Sequence, residues 1–372
     1  MRWPSITSAA CATRRRVPAR ARRPAASRCT ERRGMASRWR TCLVVIARDE
    51  AATIGRLLDS VRPFVDDALV LDTGSTDDTV RLAQAAGARV AHFPWIDDFS
   101  AARNAALDAA GADWHLVLDA DEWLIGEGSG AALEALRATP PEFVGTIVLQ
   151  DHFDGGTARS RLSRVLPGTV RYTGRIHEQP AHALPVRPLE LQVAHDGYLP
   201  ERLQVKQGRN EELLRAAIDE APSNPYLWYQ LGKDLSVYAR FADAETAFAT
   251  ASDRLADMPL MPAWWPDLVA RRLFGLKSLK RHADGMVFAE TQLQLCAESP
   301  DFFFALGDLL LDWAADQPEQ AEVLVPMIDD AWTRCLEIGE RPDQPGAVAG
   351  RGSHLAAYNL ELLRAAFPPS PR

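Results

Sequence analysis

Trp114-His115-Leu116-Val117-Leu118-Asp119-Ala120-Asp121-Glu122 runs an apolar segment straight into two carboxylates one residue apart. If the segment is a strand that ends in Asp-Ala-Asp, the alternation of side chains puts Asp119 and Asp121 on one side of the pleat. Two hard oxygen ligands side by side suit a divalent cation that carries phosphates. Asp-x-Asp is common in acidic loops, so the stretch decides the fold only together with what precedes it.

Upstream, Cys42-Leu43-Val44-Val45-Ile46-Ala47 is apolar throughout, as expected of a strand buried on both faces. Ile54, Leu57, Leu58 and Val61 repeat at i, i+3, i+4 and i+7, which predicts a helix. Ala68-Leu69-Val70-Leu71 predicts a second strand that stops at Asp72. Thr79 to Ala86 predicts a short helix, with Ser75 and Asp78 at capping-box spacing. Arg89 to Phe93 reads as a third strand, Phe99 to Ala110 as a third helix, and 114–118 as a fourth strand. This βαβαβαβ order implies a mostly parallel, Rossmann-like α/β sheet. Ligands of such sheets bind beyond the carboxyl ends of the strands. The candidates are therefore Arg48 to Glu50, Asp72 to Asp77, and Asp119 to Glu122.

Downstream, 143–200 reads as mixed and β-rich, with strands at Val144 to Leu149, Arg161 to Val165 and Leu189 to Ala194. From Glu211 onward the pattern is helical. Trp228-x-x-Leu231-Gly232-x-x-Leu235 followed by Ala244-x-x-x-Phe248-x-x-Ala251 is tetratricopeptide (TPR) spacing, with a weaker echo at Phe303-x-x-Leu306-Gly307-x-x-Leu310. Ala283 to Phe288 fits a degenerate middle unit. The expected organisation is a tail at 1–40, an α/β domain at 41–205 and a TPR-like all-α domain at 206–366.

The tail holds 12 Arg and one acid, Glu31, so residues 41–372 carry a net charge of −19 against −8 for the whole chain. That disfavours nucleic-acid binding by the folded part, because phosphate backbones need neutralising cations. The tail reads as disordered or as an over-extended start before Met35. No apolar run is long enough for a membrane span; peripheral membrane contact stays open. Five cysteines (Cys11, Cys29, Cys42, Cys296, Cys335) form no C-x-x-C pair, which argues against a disulfide framework and fits a reducing cytoplasm.

Four stretches resemble family-2 glycosyltransferases, in that family's order: Ile46-Ala47-Arg48-Asp49-Glu50, Leu71-Asp72-Thr73-Gly74-Ser75-Thr76-Asp77-Asp78-Thr79, Asp98-Phe99-Ser100-Ala101-Ala102-Arg103-Asn104, and Leu118-Asp119-Ala120-Asp121-Glu122. With a TPR-like tail, the chain is similar to the branch that holds lipopolysaccharide-core glucosyltransferases and bacterial peptide glycosyltransferases. Asp49 departs from that branch, which has Asn there.

The resemblance implies a GT-A fold and inverting transfer from a nucleotide-diphosphate sugar, most often a UDP sugar, to a glycan, lipid-linked glycan or peptide. It implies a donor pocket lined by Ala47, Arg48, Glu50, Asp72, Gly74, Ser75, Asp77, Asp119 and Asp121. Asp72 would accept from uracil N3–H. Asp121 would hold Mn2+ or Mg2+, with Asp119 on ribose or metal. Arg103 would add positive charge at the leaving diphosphate. Tyr172-Thr173-Gly174-Arg175-Ile176-His177-Glu178 is similar to an Arg-x-His-Glu stretch of the same branch. It offers Glu178 as general base and His177 as a metal or phosphate ligand, with Asp151 the alternative base. His195, in His195-Asp196-Gly197-Tyr198, is a second late histidine that could ligate the metal, although a lone His is more often structural. His92, His115 and His282 read as structural or solvated. The helical domain would recruit the acceptor or pair with a second copy of the chain. One competing reading is a catalytically inactive scaffold whose helices bind peptides. A nucleotidyltransferase is disfavoured, because the loop Ala47-Arg48-Asp49-Glu50-Ala51 lacks the glycines such enzymes carry.

Overall fold

Strand β1 (Thr41–Ala47) is buried on both faces. Leu43, Val45 and Ala47 pack with Ile54, Leu57, Leu58 and Val61 of helix α1 (Ile54–Val61). Cys42 and Val44 pack on the other face with Ala102, Ala106 and Leu107 of α3 (Phe99–Ala110). A strand sandwiched in this way has no solvent face, which is why its sequence does not alternate. The computed structural model describes residues 38–153, 156–195, 208–256 and 258–367. The tail at 1–37, with Cys11 and Cys29, lies outside the described residues, as do Asp196, Gly197 and Tyr198.

The remaining elements of the first half are β2 (Asp67–Asp72), α2 (Thr79–Ala85), β3 (Arg89–His92), β4 (Trp114–Val117), β5 (Glu122–Ile125), α4 (Glu127–Leu136), β6 (Val144–Phe153), β7 (Gly156–Pro167), β8 (Arg171–Thr173), β9 (Gln179–Ala181) and β10 (Val186–His195). Eight strands form one sheet in the order β3-β2-β1-β4-β7-β6-β10-β5, and β8 pairs with β9 separately. β3, β2, β1 and β4 are parallel. β7 is antiparallel to both β4 and β6, and β10 is parallel to β6. Consequently β1, β2, β4, β6 and β10 all end at the same edge of the sheet. The expected mostly parallel α/β sheet is therefore present, with an antiparallel insertion at β7 and an antiparallel edge at β5.

Two local expectations need correction. The Ser75–Asp78 capping box does not form: α2 starts at Thr79 with Asp78 as its N-cap, and Ser75 lies in the preceding bend, three residues too early. Strand β4 stops at Val117, two residues before Asp119, and Asp119 starts a turn closed by Glu122 N–H donating to Asp119 O at 3.0 Å. Pleat alternation therefore does not govern the two carboxylates, and they diverge.

From Arg209 the described elements are helical: α5 (Arg209–Glu220), α6 (Pro225–Val237), α7 (Phe241–Leu255), α8 (Trp265–Ser278), α9 (His282–Gln292), α10 (Pro300–Asp316), α11 (Ala321–Ile338) and α12 (His354–Ala366). The TPR-spaced residues occupy α6 and α7, where Gly232 lets the helices approach: a Cβ there would lie 2.5 Å from the Phe248 ring. Gly307 of α10 is covered in the same way by Trp332 of α11. Among the described residues, no helix is long and apolar enough to cross a membrane. Phe248 is fully buried and has nowhere to move, so Gly232→Ala should lower unfolding free energy by about 1–3 kcal/mol despite the better helix propensity of Ala. Denaturant unfolding checks this; an unchanged midpoint would show that the α6–α7 contact is loose.

Candidate functional site

The loops after β1 and β2 are tied together by short polar side chains. Asp49 has a left-handed backbone (φ 54°), which Asp tolerates better than most residues. Its Oδ1 accepts from Thr76 N at 2.7 Å and Thr76 Oγ1 at 3.1 Å, while its own N–H donates to Ser75 Oγ at 3.0 Å. This contact needs only an acceptor oxygen, so Asp serves where Asn is usual. Asp77 clamps the same two loops, accepting from Ala51 N and Thr79 N at 3.0 and 2.9 Å. Glu50 accepts from Thr53 Oγ1 at 2.7 Å, and Arg48 is exposed. Ala47 is buried, its carbonyl receiving Thr73 N at 2.9 Å. Asp72 ends β2, buried, with Oδ1 receiving Ser75 N at 3.0 Å and Oδ2 receiving Gly74 N at 3.3 Å. Gly74 has φ 110°, a conformation that favours glycine. His92 Nδ1 lies 3.2 Å from Asp72 Oδ2. Burial alone would raise the Asp72 carboxyl, but the hydrogen bonds from Ser75, His92 and Gly74 outweigh it and hold it below its ordinary range.

A second group at the carboxyl end of the sheet is an acid–arginine cluster. Arg103, buried on α3, donates through Nε to Glu178 Oε1 and through Nη2 to Asp119 Oδ1 at 2.6 Å. Arg164 of β7 donates to the other Asp119 oxygen at 2.9 Å and lies 3.4 Å from Glu122 Oε1. Burial would raise Asp119, yet two guanidiniums outweigh it and hold the carboxyl far below the usual range. Glu122, fully buried, goes the other way, pushed up to about 7 chiefly by burial. Arg103 Nη1 and the Tyr172 hydroxyl are buried and meet no partner among the described residues, so donors remain available for an oxygen-rich ligand. Asn104 sets the register of this cluster, exchanging two hydrogen bonds of 2.9 and 2.8 Å with the Tyr172 backbone. That exchange docks the β8–β9 hairpin on α3 and brings Glu178 to Arg103.

Asp121 turns away from Asp119 to His195, whose Nε2 is 3.4 Å from Asp121 Oδ2; His195 Nδ1 is 2.7 Å from Asp151 Oδ1. Burial disfavours the imidazolium, but the two carboxylates outweigh it and raise His195 to about 10. Asp151, the alternative base, is thus engaged with the imidazole.

Residues 42–184 match the family model described as Glycosyl transferase family 2. The chain carries a family 2 glycosyl transferase domain. It is 37% identical to a TPR repeat-containing protein of Synechococcus elongatus over 206 residues, 51% of each chain. It is 27% identical to the SPbeta prophage-derived glycosyltransferase SunS of Bacillus subtilis, over 55% of this chain and 51% of that one. The chain thus spans about half the length of these relatives. Among solved structures, glucosyl-3-phosphoglycerate synthase of Mycobacterium tuberculosis overlaps 32% of this chain and 45% of that one, at 30% identity and a TM-score of 0.25. At that score the overlap does not establish a shared fold.

The sheet brings Asp72, Asp119, Asp121, Glu178 and His195 to one edge and separates them into three groups. His177 is not in the Asp121 group. It sits in the β8–β9 turn with φ 51°, and burial together with the Lys233 ammonium lowers it to about 4. Sequence reading missed Arg164, because an isolated arginine on a strand looks like a solvated side chain. It also missed the helical wall. Ile176 packs into the helical core, Arg175 pairs with Glu220 of α5 at 2.6 Å, and Gln179 Nε2 donates to the Tyr226 hydroxyl at 3.3 Å. The helices therefore touch the hairpin that carries Glu178. Among the described residues, a further cluster at His282, Asp312 and Asp316 is capped by Lys280, 2.8 Å from Asp312. The ammonium already supplies its counter-charge.

Proposed function

We propose that the chain is an inverting glycosyltransferase that moves a sugar from a UDP-linked donor to a glycan, lipid-linked glycan or peptide, with Mn2+ or Mg2+ as cofactor, in the cytoplasm. The observation that carries this reading is the convergence, at one sheet edge of a family 2 domain, of the Asp72 turn, the arginine-held Asp119 and the Asp121–His195 pair. Asp121 and His195 would hold the cation: their facing oxygen and nitrogen, 3.4 Å apart, form a donor set that suits Mn2+ in particular. Asp119 is a poor second ligand, since both its oxygens are taken by arginines. When bound, the ion neutralises charge on the departing diphosphate.

The chain's own residues supply the rest. Asp72, with spare lone pairs beyond its turn hydrogen bonds, accepts from the uracil N3–H. Arg103 keeps Asp119 ionised for the ribose and orients Glu178 from one oxygen. Glu178 takes the acceptor proton as general base. Release of UDP from sugar donors, tested sugar by sugar with and without EDTA, checks the reading; no release from any donor would overturn it. Asp72→Ala should weaken UDP binding by roughly 1–3 kcal/mol, the cost of a lost hydrogen bond to a charged group. Unchanged UDP affinity by calorimetry would remove Asp72 from the base pocket.

A further inference from the structure

Helix α6 belongs to the helical half, yet one of its faces packs toward the hairpin that carries Glu178. Tyr226, Tyr229 and Lys233 recur at i, i+3 and i+7 and so share that face. Tyr226 meets Gln179, the residue after Glu178. Tyr229 stacks on Trp264, with ring centroids 4.5 Å apart and planes at 11°, and donates its hydroxyl to Asp267 Oδ2 at 2.6 Å. Lys233 Nζ lies 5.2 Å from the Tyr229 ring centroid. Its charged neighbours are Arg271 and Asp267 on α8 and Asp151 on β6, and the titratable His177, held neutral, also faces it.

Both carboxylates on this wall already have other partners. Asp267 is satisfied by Arg271, at 2.7 Å, and by Tyr229. Asp151 is satisfied by His195. No carboxylate among the described residues comes within ion-pairing distance of Lys233, although the side chain is half-buried. Burial and the Arg271 guanidinium bring it down to about 8, so it remains mostly charged at neutral pH. A half-buried ammonium without a counter-ion is costly unless an anion arrives. Lysine presents a compact point charge, which suits a phosphate group better than a planar bidentate carboxylate contact.

Position says which substrate brings that anion. Asp72 is on β2 and Asp151 on β6, four strand spacings apart in the sheet, or about 19 Å at the usual interstrand distance. The Asp72 turn and the Lys233 neighbourhood are therefore separated along the sheet, with Asp151 and its partner His195 on the Lys233 side. We propose that Lys233, supplied by the helical half, is the specificity-determining cation that receives a phosphate group of the acceptor beside Glu178. This rests on the glycosyl-transfer reading and adds the substrate class: a phosphorylated acceptor.

The test uses the full chain with UDP and Mn2+ bound, and inorganic phosphate as the probe in calorimetry. Wild type should bind phosphate without displacing UDP. Lys233→Gln should bind it at least about tenfold more weakly, the range for one lost charge-assisted hydrogen bond. Lys233→Arg should recover part of the loss, and both variants should keep wild-type UDP affinity and melting temperature. Equal phosphate affinity in wild type and Lys233→Gln, or phosphate that competes with UDP, would overturn the proposal. Failure of wild type to bind UDP at all would instead overturn the glycosyl-transfer reading.

Discussion

Asp121→Ala is expected to leave the protein folded and to reduce metal-dependent sugar transfer by at least about 100-fold, the scale of one preorganised electrostatic contact. The fold should survive because His195 retains Asp151 at 2.7 Å, so no buried imidazolium is left without a carboxylate. Turnover should not survive, because Asp121 Oδ2 faces His195 Nε2 at 3.4 Å and so belongs to the pair proposed to hold the cation. An independent readout follows from the pKa of the pair. His195 is held protonated up to about 10 by Asp121 and Asp151 acting against burial. A cation can use its nitrogen only after the proton leaves, so binding must release a proton and must tighten as pH rises toward that value. Calorimetric titration of Mn2+ in two buffers of different ionisation enthalpy should show that proton. Its absence, or full activity after EDTA treatment, would sink the metal assignment.

The parts of this molecule legible in the sequence are those that local periodicity or chain direction decides. The apolar run at 42–47 and the helix stripe Ile54, Leu57, Leu58, Val61 each state their own burial, and strand ends name the candidate loops. Partner choice is a different kind of information. Arg103 and Glu178 are 75 residues apart and meet only because Asn104 docks the Tyr172 strand on α3. The Asp119–Asp121 pair reads as one ligand set because the apolar run at 114–118 leads straight into it. The chain instead turns after Val117, which gives one acid to two arginines and the other to a histidine. Lys233 had no local signal, since a lysine on a TPR-like helix is ordinarily a solvated face, and its surroundings come from the elements that helix packs against.

Arg103→Met should be the most damaging single change to stability. The guanidinium is buried and bonded to Asp119 and Glu178 at once. Methionine fills much of the volume but carries no charge. Asp119 then keeps only Arg164, while Glu178 loses its guanidinium altogether. Removing one member of a buried ionic set costs about 3–5 kcal/mol, mostly from the charge left behind rather than from attraction forgone. Two consequences separate this account from a simple packing defect. First, Arg103→Met with Glu178→Gln should recover part of the loss, because the second change removes an orphaned charge. Second, the effect has a pH sign. Asp119 is depressed in the folded state by Arg103 and Arg164, against burial. Its contribution is therefore complete above the unfolded carboxylate range, near pH 4, and is lost as pH falls below it. The stability gap between wild type and Arg103→Met should accordingly narrow as pH drops below about 4. A gap under about 1 kcal/mol at neutral pH would place the cluster with ordinary surface ion pairs, and a gap independent of pH would attribute it to packing alone.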